Sequence, residues 1–90
     1  MRLDLYLKTS RLIPRRSLAQ EFCDAGLIEV NGQAAKSSKE IKAGDKISIN
    51  RRNRVTTVEV TEIPKTKQVA KASAGDLYEL ISDEILNNEA

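Results

Sequence analysis

Pro14-Arg15-Arg16-Ser17-Leu18-Ala19-Gln20-Glu21-Phe22-Cys23-Asp24-Ala25-Gly26-Leu27-Ile28-Glu29-Val30-Asn31-Gly32-Gln33 changes its hydrophobic period once, at Gly26. Before that glycine, Leu18, Ala19, Phe22 and Cys23 recur at i, i+1, i+4 and i+5, the stripe of an amphipathic helix. Pro14 suits a first helical turn, where its fixed φ helps and its missing N–H costs nothing, and Gly26 suits the position just past the end. A helix is predicted over about 14–25. Beyond Gly26, Leu27-Ile28-Glu29-Val30 has the composition of a strand. Asn31-Gly32 tolerates positive φ at both central positions of a two-residue hairpin turn, and Gln33-Ala34-Ala35 begins the return strand.

On the N-terminal side, Leu3, Leu5 and Leu7 alternate as a strand would, while Leu3 and Leu7 also satisfy the four-residue helical spacing with Tyr6 beside them. A short helix is expected there, ending at Thr9-Ser10. On the C-terminal side, residues 36–46 form a loop containing Ser37, Ser38, Gly44 and Asp45, and Ile47-Ser48-Ile49 is a strand with both isoleucines on one face. Arg51-Arg52-Asn53-Arg54 makes the next turn, and Val58 and Val60, interleaved with Glu59 and Thr61, give a strand ending near Ile63. From Pro64 to Gly75 neither period persists, which suggests a flexible connector. Asp76 with Glu79 resembles a capping box, and Leu77, Leu80, Ile81 and Ile85 follow at helical spacing, so a terminal amphipathic helix is predicted over about 76–87. The expected fold class is α+β: two N-terminal helices packed on a small, mostly antiparallel sheet, plus a C-terminal helix. The expected division is a domain over 1–63, a connector over 64–75, and the terminal helix and tail over 76–90.

Composition narrows the chemistry. Ninety residues form one domain with little room for an enclosed active site. The chain has no histidine, which removes Ser-His-Asp and Cys-His nucleophile systems, and one cysteine supplies neither a disulfide framework nor tetrahedral zinc ligation. No cofactor, no metal and no catalytic residue is expected. Charges interrupt the first residues where a signal peptide needs an apolar run, and no stretch reaches membrane-spanning length, so a soluble, cytoplasmic protein without membrane contact is expected.

The formal charge of +2 conceals a division. Residues 1–54 carry twelve cations against six anions, and residues 55–90 carry three against seven. A net of +6 in the first part and −4 in the second points the first part towards a polyanion. Arg15 and Arg16 fall in the first turn of the second helix, where the dipole disfavours each cation by roughly 0.3–1 kcal/mol. Free backbone N–H groups and two guanidinium forks at one place suit a phosphate. Arg2, Lys8 and Arg11 extend the patch, opposed within sixteen residues by Asp4 alone. Lys36, Lys39 and Lys42 fit either an extension of this surface or the solubility of a loop, and Arg51, Arg52 and Arg54 pose the same choice, on a face that differs or coincides. Tyr6, Phe22 and Tyr78 are the only aromatic residues, and no strand carries paired exposed rings for stacking bases. Phosphate and backbone-shape recognition of structured RNA is the mode this composition favours. Cys23 lies on the apolar stripe and is expected to be a small core residue.

Arg2-Leu3-Asp4, Tyr6-Leu7, Ser10-Arg11-Leu12-Ile13, Arg15-Arg16, Leu18-Ala19, Gly26, Ile28-Glu29-Val30-Asn31-Gly32-Gln33, Lys36-Ser37-Ser38 and Gly44-Asp45, taken together, resemble the S4 RNA-binding domain family over about residues 1–50. Within it the chain is similar to the small stand-alone bacterial quality-control members, the RqcP-like (YabO-like) group, and more distantly to the heat-shock-induced S4 protein of the large ribosomal subunit. The resemblance implies an S4-like (alpha-L) fold and a non-enzymatic role. It also implies binding to large-subunit rRNA and an obstructed peptidyl-tRNA, with an RqcH-like factor that adds alanines to the stalled chain. The family's RNA contacts carry over to Arg2 and Arg16, with Arg11 and Arg15 in support; Lys8 and Lys36 complete the candidate RNA-binding set. Leu5 stands where the family pattern favours lysine. A monomer is expected.

Overall fold

The computed structural model describes residues 1–65 and 75–85. Two helices, α1 (Leu3–Thr9) and α2 (Arg16–Asp24), precede the strands β1 (Ile28–Val30), β2 (Gln33–Ala34), β3 (Lys46–Arg51) and β4 (Arg54–Val60). A 3-10 turn at Gly75–Leu77 then leads into β5 (Tyr78–Ile85). The strands form one antiparallel sheet in the order β2-β1-β3-β4-β5.

The change of period at Gly26 is a helix stop with both of its reciprocal hydrogen bonds. Gly26 has φ +75°, its N–H donates to the Cys23 carbonyl at 3.0 Å, and the Leu27 N–H donates to the Phe22 carbonyl at 2.9 Å. The Asn31-Gly32 turn has φ +53° and +86°, matching a right-twisted two-residue hairpin, and Val30 pairs with Gln33 across it. The Asn31 side chain contributes as well: its Oδ1 accepts from the Lys46 N–H at 3.0 Å and its Nδ2 donates to Asp45 at 3.2 Å, tying the hairpin to the entry of β3. Helix α2 is shorter than the predicted 14–25. Ile13 is drawn into the core, Pro14 lies on the approach outside the helix, and Arg15 is the N-cap.

The core lies between the helices and one sheet face. Ile28, Val30, Ile47, Ile49, Val58 and Val60 supply the sheet side by strict alternation; Leu3, Tyr6, Leu7, Ile13, Ala19 and Cys23 supply the helical side. Each large aliphatic side chain fully buried here stabilises the fold by roughly 1.5–3 kcal/mol. Leu5, exposed enough to escape this core, resolves the ambiguity of the first segment as helical.

The predicted terminal helix over 76–87 is wrong where it is described: Gly75–Leu77 is a 3-10 turn and Tyr78–Ile85 is a strand along β4. Two physical facts explain the difference. A helix would leave the backbone groups along the outer side of β4 without strand partners, whereas β5 satisfies them. The stripe was also not a core pattern, because only Leu77 is buried while Leu80, Ile81 and Ile85 are 55%, 49% and 74% exposed. An irregularity between Thr57 and Val58 places Leu80 opposite Val58 and Ser82 opposite Thr57, so Ile81 is the extra residue that spoils the period-two signal. Arg54 grips Asp83 through Nε at 2.7 Å and through a terminal nitrogen, and Thr56 Oγ1 donates to Asp83 at 3.0 Å, which fixes the register. The predicted connector lies mostly outside the described residues.

Tyr6 links the first helix to this last strand. Its ring is fully buried and its hydroxyl donates to the Leu77 carbonyl at 2.6 Å; burial first, then Tyr78, pushes the phenol well above its usual range. Tyr6→Phe keeps the ring and removes that buried hydrogen bond, so stability falls by about 1–2 kcal/mol, seen as a lower urea midpoint at unchanged m-value. A midpoint equal to that of the parent would refute the anchoring role.

Candidate nucleic-acid interface

Asp4, the single anion opposing the N-terminal cations, is fully buried. Its Oδ1 accepts from the Leu5 N–H at 2.8 Å, and its Oδ2 accepts from Gln20 Nε2 at 2.8 Å and from Arg16 Nε at 3.3 Å. Arg2 Nε lies 3.3 Å from Oδ1, with a longer contact of 3.4 Å to Oδ2. One carboxylate thus holds two guanidinium groups side by side while their side chains stay 48% and 40% exposed. Arg16 engages it through Nε, which leaves the terminal nitrogens outside that bond. Burial alone would raise the Asp4 carboxyl, but the hydrogen bonds from Gln20, Arg16 and Leu5, with the Arg16 charge, hold it below its ordinary value of 3.8. The carboxylate is therefore ionised at neutral pH, and the local sum of two cations and one anion is positive. Gln20 is a residue that sequence reasoning missed. The signal available was its spacing of four from Arg16 on a polar helix flank facing the Asp4 side of α1.

The backbone places the remaining candidates around this centre. The Asp4 N–H donates to the Ser37 carbonyl at 3.1 Å, the Leu3 N–H to the Lys39 carbonyl at 2.7 Å, and Arg2 forms an isolated bridge with Glu40. The loop carrying exposed Lys36 therefore flanks the start of α1, beside a groove of about 240 Å³ lined by Val30, Gln33, Ala34, Lys36, Ser38 and Lys39 among others. Arg15 is exposed at the N-cap of α2, where no side chain caps the helix and no acid occupies its first turn. Lys8 is exposed at the last turn of α1, and Arg11 in the turn that follows. No contact ties Lys8 or Arg11 to the Asp4 centre among the described residues.

Arg11 has φ +64°, just past the end of α1, a conformation that glycine adopts freely and arginine adopts at a cost of roughly 1–2 kcal/mol. The later arginines sort differently. Arg51 donates to the Leu12 carbonyl at 3.2 Å and to Thr56 at 3.4 Å, fastening the inter-helix turn to the sheet, and Arg54 is committed to Asp83. Arg52 is exposed in the β3–β4 turn. Cys23 is buried, and burial, with Asp4 and Asp24 nearby, pushes its thiol up to about 11, as suits an inert core residue. Tyr6 is internal, leaving no ring on α1 to stack a base.

Short helices presenting clustered arginines beside an antiparallel sheet carry the electrostatic footprint of a small RNA-binding module. Residues 1–47 match the S4 domain, and the chain belongs to the S4 domain family. It is 46% identical over 84 residues to the RQC P-site tRNA stabilizing factor of Halalkalibacterium halodurans, covering 93% of each chain. It is 42% identical over 86 residues to the protein of that name from Bacillus subtilis, covering 96% of this chain and 98% of the relative. The trimeric structure of Heat Shock Protein 15 from Vibrio cholerae superposes with a TM-score of 0.80 at 29% identity, over 91% of this chain and 82% of that one.

Asp4→Asn removes the charge that aligns the arginines and is expected to lower stability by about 1–3 kcal/mol while weakening RNA binding. Because the folded carboxyl lies below 3.8, its contribution is complete above that pH and disappears as pH falls through the lower folded value. Acid unfolding of the parent should show this component and the variant should lack it; parallel curves would refute it. Arg11→Gly is expected to raise stability by up to about 1 kcal/mol and to weaken RNA binding together. A variant that is both less stable and unchanged in binding contradicts this account.

Proposed function

We propose that this chain is an RNA-binding factor of bacterial ribosome-associated quality control, acting on the large ribosomal subunit that carries an obstructed peptidyl-tRNA. The Asp4-held pair of Arg2 and Arg16 carries the reading, because it presents two oriented guanidinium groups on the S4 helical unit. The names of the Halalkalibacterium and Bacillus relatives, each an RQC P-site tRNA stabilizing factor aligned over nearly their whole length, support it. In this role Arg2 and Arg16 lie between an rRNA helix and the tRNA, with Lys8, Arg11, Arg15 and Lys36 supplying further phosphate contacts. The protein works as a cytoplasmic monomer beside an RqcH-like factor and supports poly-alanine tailing of the stalled chain. It performs no catalysis itself; the ribosome carries out peptidyl transfer. A general recycling or assembly role of the heat-shock type has the Vibrio cholerae likeness behind it, at 29% identity against 46% and 42% for the quality-control relatives.

If about five basic side chains meet phosphates, the logarithm of rRNA affinity falls against the logarithm of salt with a slope near −4. Arg16→Gln, which removes the charge and keeps an N–H donor for Asp4, should strongly weaken cosedimentation with large subunits and poly-alanine tailing in a reconstituted stalled-subunit reaction while circular dichroism stays unchanged. A flat salt response, or a folded variant that cosediments as the parent does, defeats the site. Cosedimentation of the parent protein without any stimulation of tailing favours the recycling role.

A further inference from the structure

Strand β5 is the sheet edge opposite β2: it pairs with β4 on one side, and no described residue pairs with the other. It carries the large apolar residues that stand exposed among the described residues, Leu80, Ile81 and Ile85. Asp76, Glu79, Asp83 and Glu84 accompany them, with no cation from 76 to 85. An exposed edge of this kind is a template for another strand. Residues paired across antiparallel strands share a face, so Leu80 and Ile85 lie on the side of Val58 and Arg54, and Glu79 and Glu84 on the side of Glu59 and Val55. Glu79 stands directly opposite Glu59, an unfavourable like-charge pair whose other neighbour is Lys46. A cation on an added strand beside Glu79 would give that carboxylate an opposite charge on its outer side, as Lys46 does for Glu59.

We propose that β5 is a docking edge for an extended, basic protein segment in which Lys or Arg alternates with Val, Ile or Leu, its cations beside Glu79 and Glu84 and its apolar residues beside Leu80 and Ile85. Charge decides between occupants. RNA is repelled by these carboxylates, and a second copy of β5 would set acidic residues against acidic residues in an antiparallel pair. A basic segment satisfies the backbone groups that no described residue pairs, the apolar residues and the acids together. This surface shares no residue with the arginine centre, so a failure of either leaves the other standing.

The probe is a labelled, end-blocked octapeptide of alternating lysine and valine, with a glutamate–valine peptide as control, titrated into the full-length protein at near-physiological salt. Binding of the lysine peptide alone is expected, with backbone amide shifts confined to Tyr78–Ile85 and the facing residues of β4. Glu79→Lys with Glu84→Lys should weaken it by about tenfold or more, Leu80→Thr severalfold, and Arg16→Gln not at all. Absence of binding, equal binding of both peptides, or shifts centred elsewhere overturns the proposal. So does concentration-dependent self-association that excludes the peptide, or displacement of the peptide by an RNA hairpin. If a variant fails to fold, the shift map of the parent protein alone decides the matter in the same two directions.

Discussion

A carboxylate withdrawn from water must find charge and hydrogen bonds inside the protein, and the N-terminal half of this chain is arranged around that requirement at Asp4. Its two oxygens accept from a backbone N–H, an amide and two guanidinium groups, and no lone donor or acceptor is stranded there. The same contacts decide how α1 and α2 sit against each other, since Asp4 belongs to the first helix while Arg16 and Gln20 belong to the second. Orientation is the functional consequence. A free arginine loses side-chain entropy when it meets a phosphate, and one already held through Nε has less left to lose.

A second constraint comes from the far end of the chain. The Leu77 carbonyl receives the Tyr6 hydroxyl at 2.6 Å and the Thr61 N–H at 3.0 Å, so the start of β5 is bound both to α1 and to the end of β4. The sheet therefore has a basic loop leaving β2 at one edge and an acidic strand at the other, the structural form of the charge division along the sequence. Four inter-strand spacings separate these edges by roughly 19 Å, more than twice the Debye length of about 8 Å in physiological salt. Acids on β5 are thus largely screened from a polyanion held beside Lys36, and opposite charges coexist in a small domain without cancelling.

Most of the fold was legible because local rules and tertiary demands agree. Gly26 ends a helix and Asn31-Gly32 turns a hairpin for reasons of backbone sterics alone, and Ile47 and Ile49 alternate because one sheet face is buried. The terminal strand was not legible. Its bulge at Ile81 breaks the alternation, and exposed Leu80, Ile81 and Ile85 imitate a helical stripe whose burial only a three-dimensional contact could test. The basic character of the site was visible as a density of arginines, whereas its organiser was not. Asp4 and Gln20 are sixteen residues apart, and Asp4 counted on charge alone as an opponent of the patch it builds.

The helical unit breaks several stability rules within a few residues, and the breaches share one direction. Arg11 occupies a position fit for glycine, and Arg15 and Arg16 sit at a helix start that has neither a side-chain cap nor an acid in its first turn. Each choice costs the fold something on the order of 0.3–2 kcal/mol, and each adds a solvent-accessible cation to the helical unit. Random imperfection would not be expected to favour arginine every time. Asp4 offsets part of this cost from the neighbouring helix, supplying beside Arg16 the negative charge that α2 lacks in its own first turn, at a buried position where it does not face an incoming phosphate. Had that acid stood exposed within α2, it would have stabilised the helix and repelled the ligand; buried on α1, it supports the arginines and leaves the outward field positive.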